Sequence, residues 1–270
     1  MKPRFSLAHL TVLHYSPPKM IELAARAGFD YVSLRPIALG TKNEPVYPLA
    51  TDRTLFNDTK QALQSTGLKL LDIEMVRIYE GVDVTHYLPA FEAAAELGCN
   101  HVLTTVQTTD ENLAVETLHA LCELAKPFNL TLDVEFITWY ELGTLTQAES
   151  IIRKVNHEKC GLLIDTLHFH RSHTNYDHLA SLPKEWFHYA HLCDAKDPIP
   201  TSKEDLIYTA REDRLFLGDG DIPLQKIIQS LPDIPYSLEI PNKERMHELG
   251  AELYVKQCLE SAHQLFNELS

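Results

Sequence analysis

The segment LLIDTLHFHRSH, Leu162 to His173, ends an apolar run in Asp165 and then places three histidines and an arginine within eight residues. Three other apolar runs in the second half of the chain end in similar fashion. LTLDVEF carries Glu135, FHYAHLCD carries His191 and YSLEIP carries Glu239. A carboxylate at the end of a buried strand is costly unless it is paired or bound to a cation. If the four ends meet, three carboxylates and an imidazole repel one another without a cation. An oxygen-rich set with one nitrogen and room for substrate suits a single divalent ion, Mn2+, Mg2+ or Co2+ ahead of Zn2+. Taken singly, Glu135, Asp165, His191 and Glu239 are each explained as well by a helix cap or a surface charge. The case for a metal rests on their arriving together.

Other residues stand near the same strand ends. His168, three residues after Asp165, is placed to hydrogen-bond a substrate oxygen or orient the metal site, or else to cap the following turn. His170 and His173 read as loop residues. Arg171 and Arg211 are candidates for an anionic substrate group, although an arginine in a loop is most often solvated or paired. Arg35, just after the second strand, and Glu74, at the end of the third, either touch substrate or pair with each other. Cys193 reads as a small buried apolar side chain. Gly218 and Gly220 form G-x-G without the further glycine of a dinucleotide fingerprint. They read as a loop over the mouth, with a helix starting at Asp221 and Pro223.

Positioning these residues requires a repeated unit. Helix-like segments end at Gly28, Gly67 and Gly98, and at Asn129, and an apolar β-type run follows each within a few residues. Helix starts are marked by Ser16 before Pro17, and by the capping-box spacings Thr108–Glu111 and Thr146–Glu149. Strands are expected near residues 6–10, 31–34, 70–74, 101–105, 131–135, 161–165, 187–191 and 236–239. Most are near-continuous apolar runs, as parallel strands covered on both faces require. Eight strands alternating with helices predict an α/β fold, a (β/α)8 TIM barrel, as one domain over residues 1–270. The longest irregular stretches, 36–51 and 194–221, are expected to be loops on strand ends. In such barrels chemistry gathers at the carboxyl ends of the strands, where all four ligand candidates fall.

The rest of the sequence narrows the class. No apolar run reaches the ~20 residues of a membrane helix, so no membrane partner is expected. The start, MKPRFSLAHLTVLHYSPP, is a poor signal peptide. Five scattered cysteines form no C-x-x-C pair, against a disulfide framework or a structural zinc site. These features predict a cytoplasmic protein. With 38 acidic and 24 basic side chains the net charge is −14, a field that repels nucleic acid. The expected partner is a small molecule, with a homo-oligomer left open.

From Glu135 onward, DVEF, LIDTLHFHRS, HLCDA, LFLGDGDIPL and SLEIP resemble the xylose isomerase-like TIM barrel superfamily of sugar isomerases and epimerases, which includes endonuclease IV. The first half, with YVSLRPIALGTKNEPVYPL and LLDIEMVRI, is similar to a less-characterised branch of sugar phosphate isomerases and epimerases. The resemblance implies one metal held by Glu135, Asp165, His191 and Glu239, with Glu135 and Glu239 as the bases on the two faces of the substrate. It also implies a substrate contact for His168 within D-T-x-H. The activity it implies is a divalent-metal-dependent isomerase or epimerase of a small sugar, sugar phosphate or polyol ketone, working through a metal-stabilised enediolate. The alternative is a dehydratase of a hydroxy-ketone of the dehydroshikimate or inosose type. The better-known epimerases place an arginine soon after the metal histidine. This chain reads HLCDAKDP there, leaving Lys196 or Arg211 as substitutes. An endonuclease IV site needs further histidines on earlier strands, and His101 stands at the start of strand four, the wrong end for it. A non-catalytic sugar-binding barrel is the remaining alternative.

Overall fold

Phe5–Leu7 pairs in parallel with Tyr236–Leu238, Ser6 beside Ser237, and this pairing of first strand with last closes the sheet. The computed structural model describes residues 2–40 and 44–269. Its strands are β1 (Phe5–Leu7), β2 (Tyr31–Leu34), β3 (Lys69–Ile78), β4 (His101–Val106), β5 (Thr131–Glu135), β6 (Cys160–Asp165), β7 (Ala190–Leu192) and β8 (Tyr236–Leu238). They form a closed barrel in sequence order, with helices interleaved. Every residue of β5 and β6 is buried. That explains their apolar, non-alternating sequence: helices cover the outside and side chains fill the inside. Among the described residues no helix is long and apolar enough to cross a membrane.

The glycine stops act as expected. Gly28 and Gly67 take left-handed conformations, φ 98° and 75°, after the helices Pro17–Ala27 and Arg53–Thr66. Three cap assignments change. Ser16 holds the N-cap position, but its side chain makes no capping bond. Asp110, not Thr108, caps Glu111–Ala125, and Thr108 bonds Glu80 instead. Thr144, not Thr146, caps Leu145–Val155, with Gln147 accepting from the Thr144 hydroxyl and the Gly143 N–H. The stretch 194–221 is not all loop: it contains the helix Lys203–Glu212, capped by Ser202. The helix after G-x-G begins at Leu224 rather than Asp221. Of the expected loop 36–51, residues 41–43 lie outside the described residues.

The barrel interior is layered. Leu71, Met75, Leu103, Leu163 and Tyr189 pack into a small apolar cluster, apart from the large core between sheet and helices. Ser33 hydrogen-bonds both Ser6 and Ser237, and donates to Asp72. The register of β2 against β3 shifts at Val32/Ser33, skipping Leu71. The shift lets Leu71 join the apolar cluster while Asp72 meets Ser33.

His9 gives the fold a pH dependence. It is fully buried; its Nε2 bonds the Tyr15 carbonyl at 2.9 Å and its Nδ1 accepts from the Arg35 N–H at 2.9 Å, the pattern of a neutral ring. Burial, opposed by the Tyr15 bond, lowers its pKa to about 4. An unfolded histidine takes its proton near pH 6.5, so between these values the unfolded state binds more protons and stability falls as pH falls. We expect this residue to remove about 2 to 3 kcal/mol between pH 7.5 and 4.5. Denaturant unfolding of His9→Gln across that range should show this part of the slope gone; an unchanged slope contradicts the assignment.

Candidate active site

The carboxyl ends of β5 to β8 deliver Glu135, Asp165, His191 and Glu239 to one place. His191 is fully buried, and its Nδ1 lies 3.6 Å from Glu135 Oε1, 4.0 Å from Asp165 Oδ2 and 3.6 Å from Glu239 Oε2. All three distances exceed a normal hydrogen bond, and Nδ1 and Nε2 both lack a hydrogen-bond partner. One ligand atom each from Glu135, Asp165 and His191 falls within 4.8 Å of the others. This unpartnered nitrogen facing three carboxylates fits a divalent cation: the donor set is hard oxygen with one imidazole.

Asp165 uses its two oxygens differently. Oδ1 accepts from the N–H groups of Leu167 (2.7 Å) and His168 (3.2 Å), capping the short helix Thr166–Arg171. Oδ2 is left facing the site. Cap and ligand candidate are therefore compatible readings of one residue. Thr166 exchanges hydrogen bonds with Cys193, 2.8 Å to its carbonyl and 3.0 Å from its N–H, and so ties the ends of β6 and β7 together.

Arg214, which the sequence reading passed over, completes the cluster. It is 2% exposed; Nη1 donates to Asp165 Oδ2 at 2.6 Å, Nη2 lies 2.9 Å from Glu239 Oε2 and Nε donates to the Ala210 carbonyl at 2.7 Å. It sits on no barrel strand. A backbone bridge between Asp194 and Leu215 holds it in place. Asp194 in turn accepts from the N–H groups of Gly218, Gly220 and Ile222. A Cβ at Gly220 would stand 2.2 Å from Asp194 Oδ1. The G-x-G motif is thus a wrapper around Asp194 that aims Arg214 inward. The detectable signal was an arginine set against the apolar run Leu215–Leu217.

The remaining candidates separate. Arg35 and Glu74 pair, as one of the two sequence readings held, at 2.6 Å, and Arg35 also meets Glu44 at 3.3 Å. β3 continues four residues past Glu74, which is fully buried. Glu74 Oε2 holds Arg35, while its Oε1 has no hydrogen-bond partner, and Glu74, Asp72 and His191 each bring a ligating atom within 4.8 Å of the others. Arg171 turns its guanidinium to the Leu206 carbonyl at 3.0 Å and the Thr209 hydroxyl, anchoring the helix Lys203–Glu212. Arg211, on that helix, meets Glu44 at 2.9 Å. His168 is 2% exposed, bonded to Thr138 at 3.3 Å and edge-on to Trp139 at 4.9 Å. Burial lowers its pKa to about 3, so the ring is neutral. His170 pairs with Asp197.

A small cavity of about 50 Å³ lies here, lined by Arg35, Glu135, Trp139, His168, Arg214 and Glu239 among others. Leu10 and Arg211 line both this cavity and a wider hollow of about 610 Å³. Electrostatics inside are strong. Burial raises the pKa of Glu135 to about 7, and burial raises Glu239 as well. Burial opposes charge on His191, yet Glu239, Glu135 and Asp165 together raise it to about 10. Arg214 overrides burial to keep Asp165 well below the usual carboxylate range.

The chain belongs to the xylose isomerase-like TIM barrel family, whose model matches residues 21–260. It is 25% identical over 236 residues to an inosose isomerase of Halalkalibacterium halodurans, covering 81% of this chain and 79% of that one. It is 24% identical over 242 residues to a 3-dehydroshikimate dehydratase of Pseudomonas aeruginosa, covering 83% of this chain and 36% of that one. Among solved structures it resembles the IolI protein with a bound zinc atom, with a TM-score of 0.82, 21% identity and 99% of both chains covered.

Proposed function

We propose that the chain is a divalent-metal-dependent isomerase of an unphosphorylated polyol ketone, with Glu135, Asp165, His191 and Glu239 as metal ligands. The observation that carries this reading is the His191 Nδ1, buried without a hydrogen bond and facing three carboxylates at 3.6 to 4.0 Å. An ion bound there supplies a Lewis acid toward the substrate's carbonyl and neighbouring hydroxyl. The proton chemistry falls to Glu135 and Glu239. Both line the cavity, which puts a carboxylate within reach of a bound substrate. Arg214 holds Asp165 Oδ2 and Glu239 Oε2 and so fixes two of the four carboxyl and imidazole groups at the cavity. Neutral His168 offers a hydrogen bond to an uncharged hydroxyl, and Trp139 and Ile137 line the cavity with it.

The arginines support the choice of an uncharged substrate. Arg35, Arg211 and Arg214, the guanidiniums lining the cavity, are each engaged by a carboxylate. At Arg35 and Arg214 a phosphate dianion would have to break a buried pair, whereas Arg211, a third exposed, gives Glu44 a single Nη2 donor. The family's relatives include both isomerase and dehydratase, and the two reactions part at the product: isomerisation keeps the substrate's mass, dehydration loses water. Incubating manganese-loaded protein with inosose-type ketones, ketoses and ketose phosphates in deuterated water tests the proposal. Deuterium exchange at the carbon beside the carbonyl, with product mass otherwise unchanged and phosphates inert, is the expected result. Loss of water replaces isomerase by dehydratase, and absence of exchange removes the enzyme reading.

Asp165→Ala is expected to weaken manganese binding beyond the 10- to 100-fold that outer-shell changes cost. Elemental analysis after desalting reads this directly, and a full manganese complement contradicts the ligand set.

A further inference from the structure

The amino ends of the strands carry a second convergence of ligating side chains. His101 opens β4, Asp133 lies at the centre of β5 and His188 stands two residues before β7, with one ligating atom of each within 4.8 Å of the others. This is the same His101 that stood at the wrong end for the mouth. Tyr189 lies between the two clusters, its ring 5.6 Å from that of His101 and 5.7 Å from that of His191.

Three observations single the cluster out. First, Asp133 is fully buried while the imidazoles keep partial exposure, 16% for His101 and 26% for His188, so the cluster sits just beneath the surface. Second, Asp133 Oδ1 bonds His188 Nδ1 at 2.6 Å, but Oδ2 and His101 Nδ1, 3.2 Å apart, are both buried without a hydrogen bond. They approach without the alignment a hydrogen bond needs, and two such orphaned groups are costly to bury. A shared cation satisfies both. Third, the chain makes room for the cluster. Gly161 on β6 pairs with Asp133, and a Cβ there would fall 2.2 Å from Asp133 Oδ1 and 2.6 Å from His188 Nδ1. Any other residue would force the carboxylate and imidazole apart.

We propose that His101, Asp133 and His188 form a second divalent-metal site, separate from the mouth. Two imidazoles and one carboxylate are a zinc-type donor set, with a fourth position left to water. The role of the ion would be structural. Strands β5 and β7 do not pair with each other, and the ion would tie them together across the glycine of β6. This proposal stands apart from the isomerase reading, because it uses none of the mouth residues.

The test uses the full chain as Asp165→Ala, which disables the mouth, stripped with chelator, exposed to zinc and desalted. One zinc per chain should remain. Zinc at about a hundredfold over its dissociation constant should raise the unfolding temperature by about 5 °C. Both effects should vanish in Asp165→Ala/His188→Ala and in Asp165→Ala/His101→Ala. If Asp165→Ala does not fold, the same difference of one zinc is read between wild type and His188→Ala. Zinc retained in either double variant, or no difference between wild type and His188→Ala, overturns the proposal and leaves a hydrogen-bonded histidine–aspartate cluster. Failure of the mouth to bind metal would show separately, as equal zinc in wild type and Asp165→Ala.

Discussion

Glu239→Gln is expected to slow exchange of the substrate's α-proton with deuterated water about a thousandfold, within the range that loss of a general base costs. That corresponds to about 4 kcal/mol of barrier. The substitution preserves shape and keeps an oxygen that can accept from Arg214, 2.9 Å away in the native chain. It removes the negative charge and, with it, the group that takes the proton. Exchange should be measured at saturating manganese, so that weaker metal retention does not imitate loss of the base. Glu135→Gln is the control. If the two glutamates serve opposite faces of the substrate, each variant should fail with one isomer and retain exchange with the other. Undiminished exchange by Glu239→Gln with both isomers would remove the residue from proton transfer and leave it a ligand alone.

The parts of the barrel that were legible in the sequence share one property: their signal is local. A glycine after a periodic segment stops a helix wherever that helix packs, and Gly28 and Gly67 do so at the expected positions. An ionisable residue ending an apolar run is visible as such, which is why Glu135, Asp165, His191 and Glu239 stand out in the chain before their meeting is known. Long-range pairing was not legible. Arg171 and Arg214 each stand in a segment whose sequence does not say what the guanidinium meets. The difference is that Arg171 meets the carbonyl of Leu206, while a bridge to Asp194 turns Arg214 toward Asp165. The helix Lys203–Glu212 was hidden because its few apolar residues make a short stripe. Ser202 three residues before Asp205, the pair that caps it, was its available mark. Capping boxes misled for a related reason: in TLTQAES two threonines each have an acceptor three residues on, and packing of Leu145 selects the earlier start.

Arg214→Ala is expected to destabilise the chain by about 3 to 5 kcal/mol, the cost of leaving a buried charge without its partner. Two carboxylates lose that partner at once, since the guanidinium forks between Asp165 Oδ2 and Glu239 Oε2. Arg214→Lys should recover only part of the loss, because a single ammonium cannot present two donors in the fixed plane that spans both groups. The two oxygens it grips are the ones that face His191 Nδ1. Each carboxylate oxygen has lone pairs enough to accept from arginine and to hold an ion together, so arginine and metal offset the same negative charge. It follows that metal should matter more once the arginine is gone. Denaturant unfolding with chelator and with saturating manganese should show a larger stabilisation by metal in Arg214→Ala than in wild type. Equal stabilisation in the two proteins would place the ion elsewhere than among Asp165, His191 and Glu239.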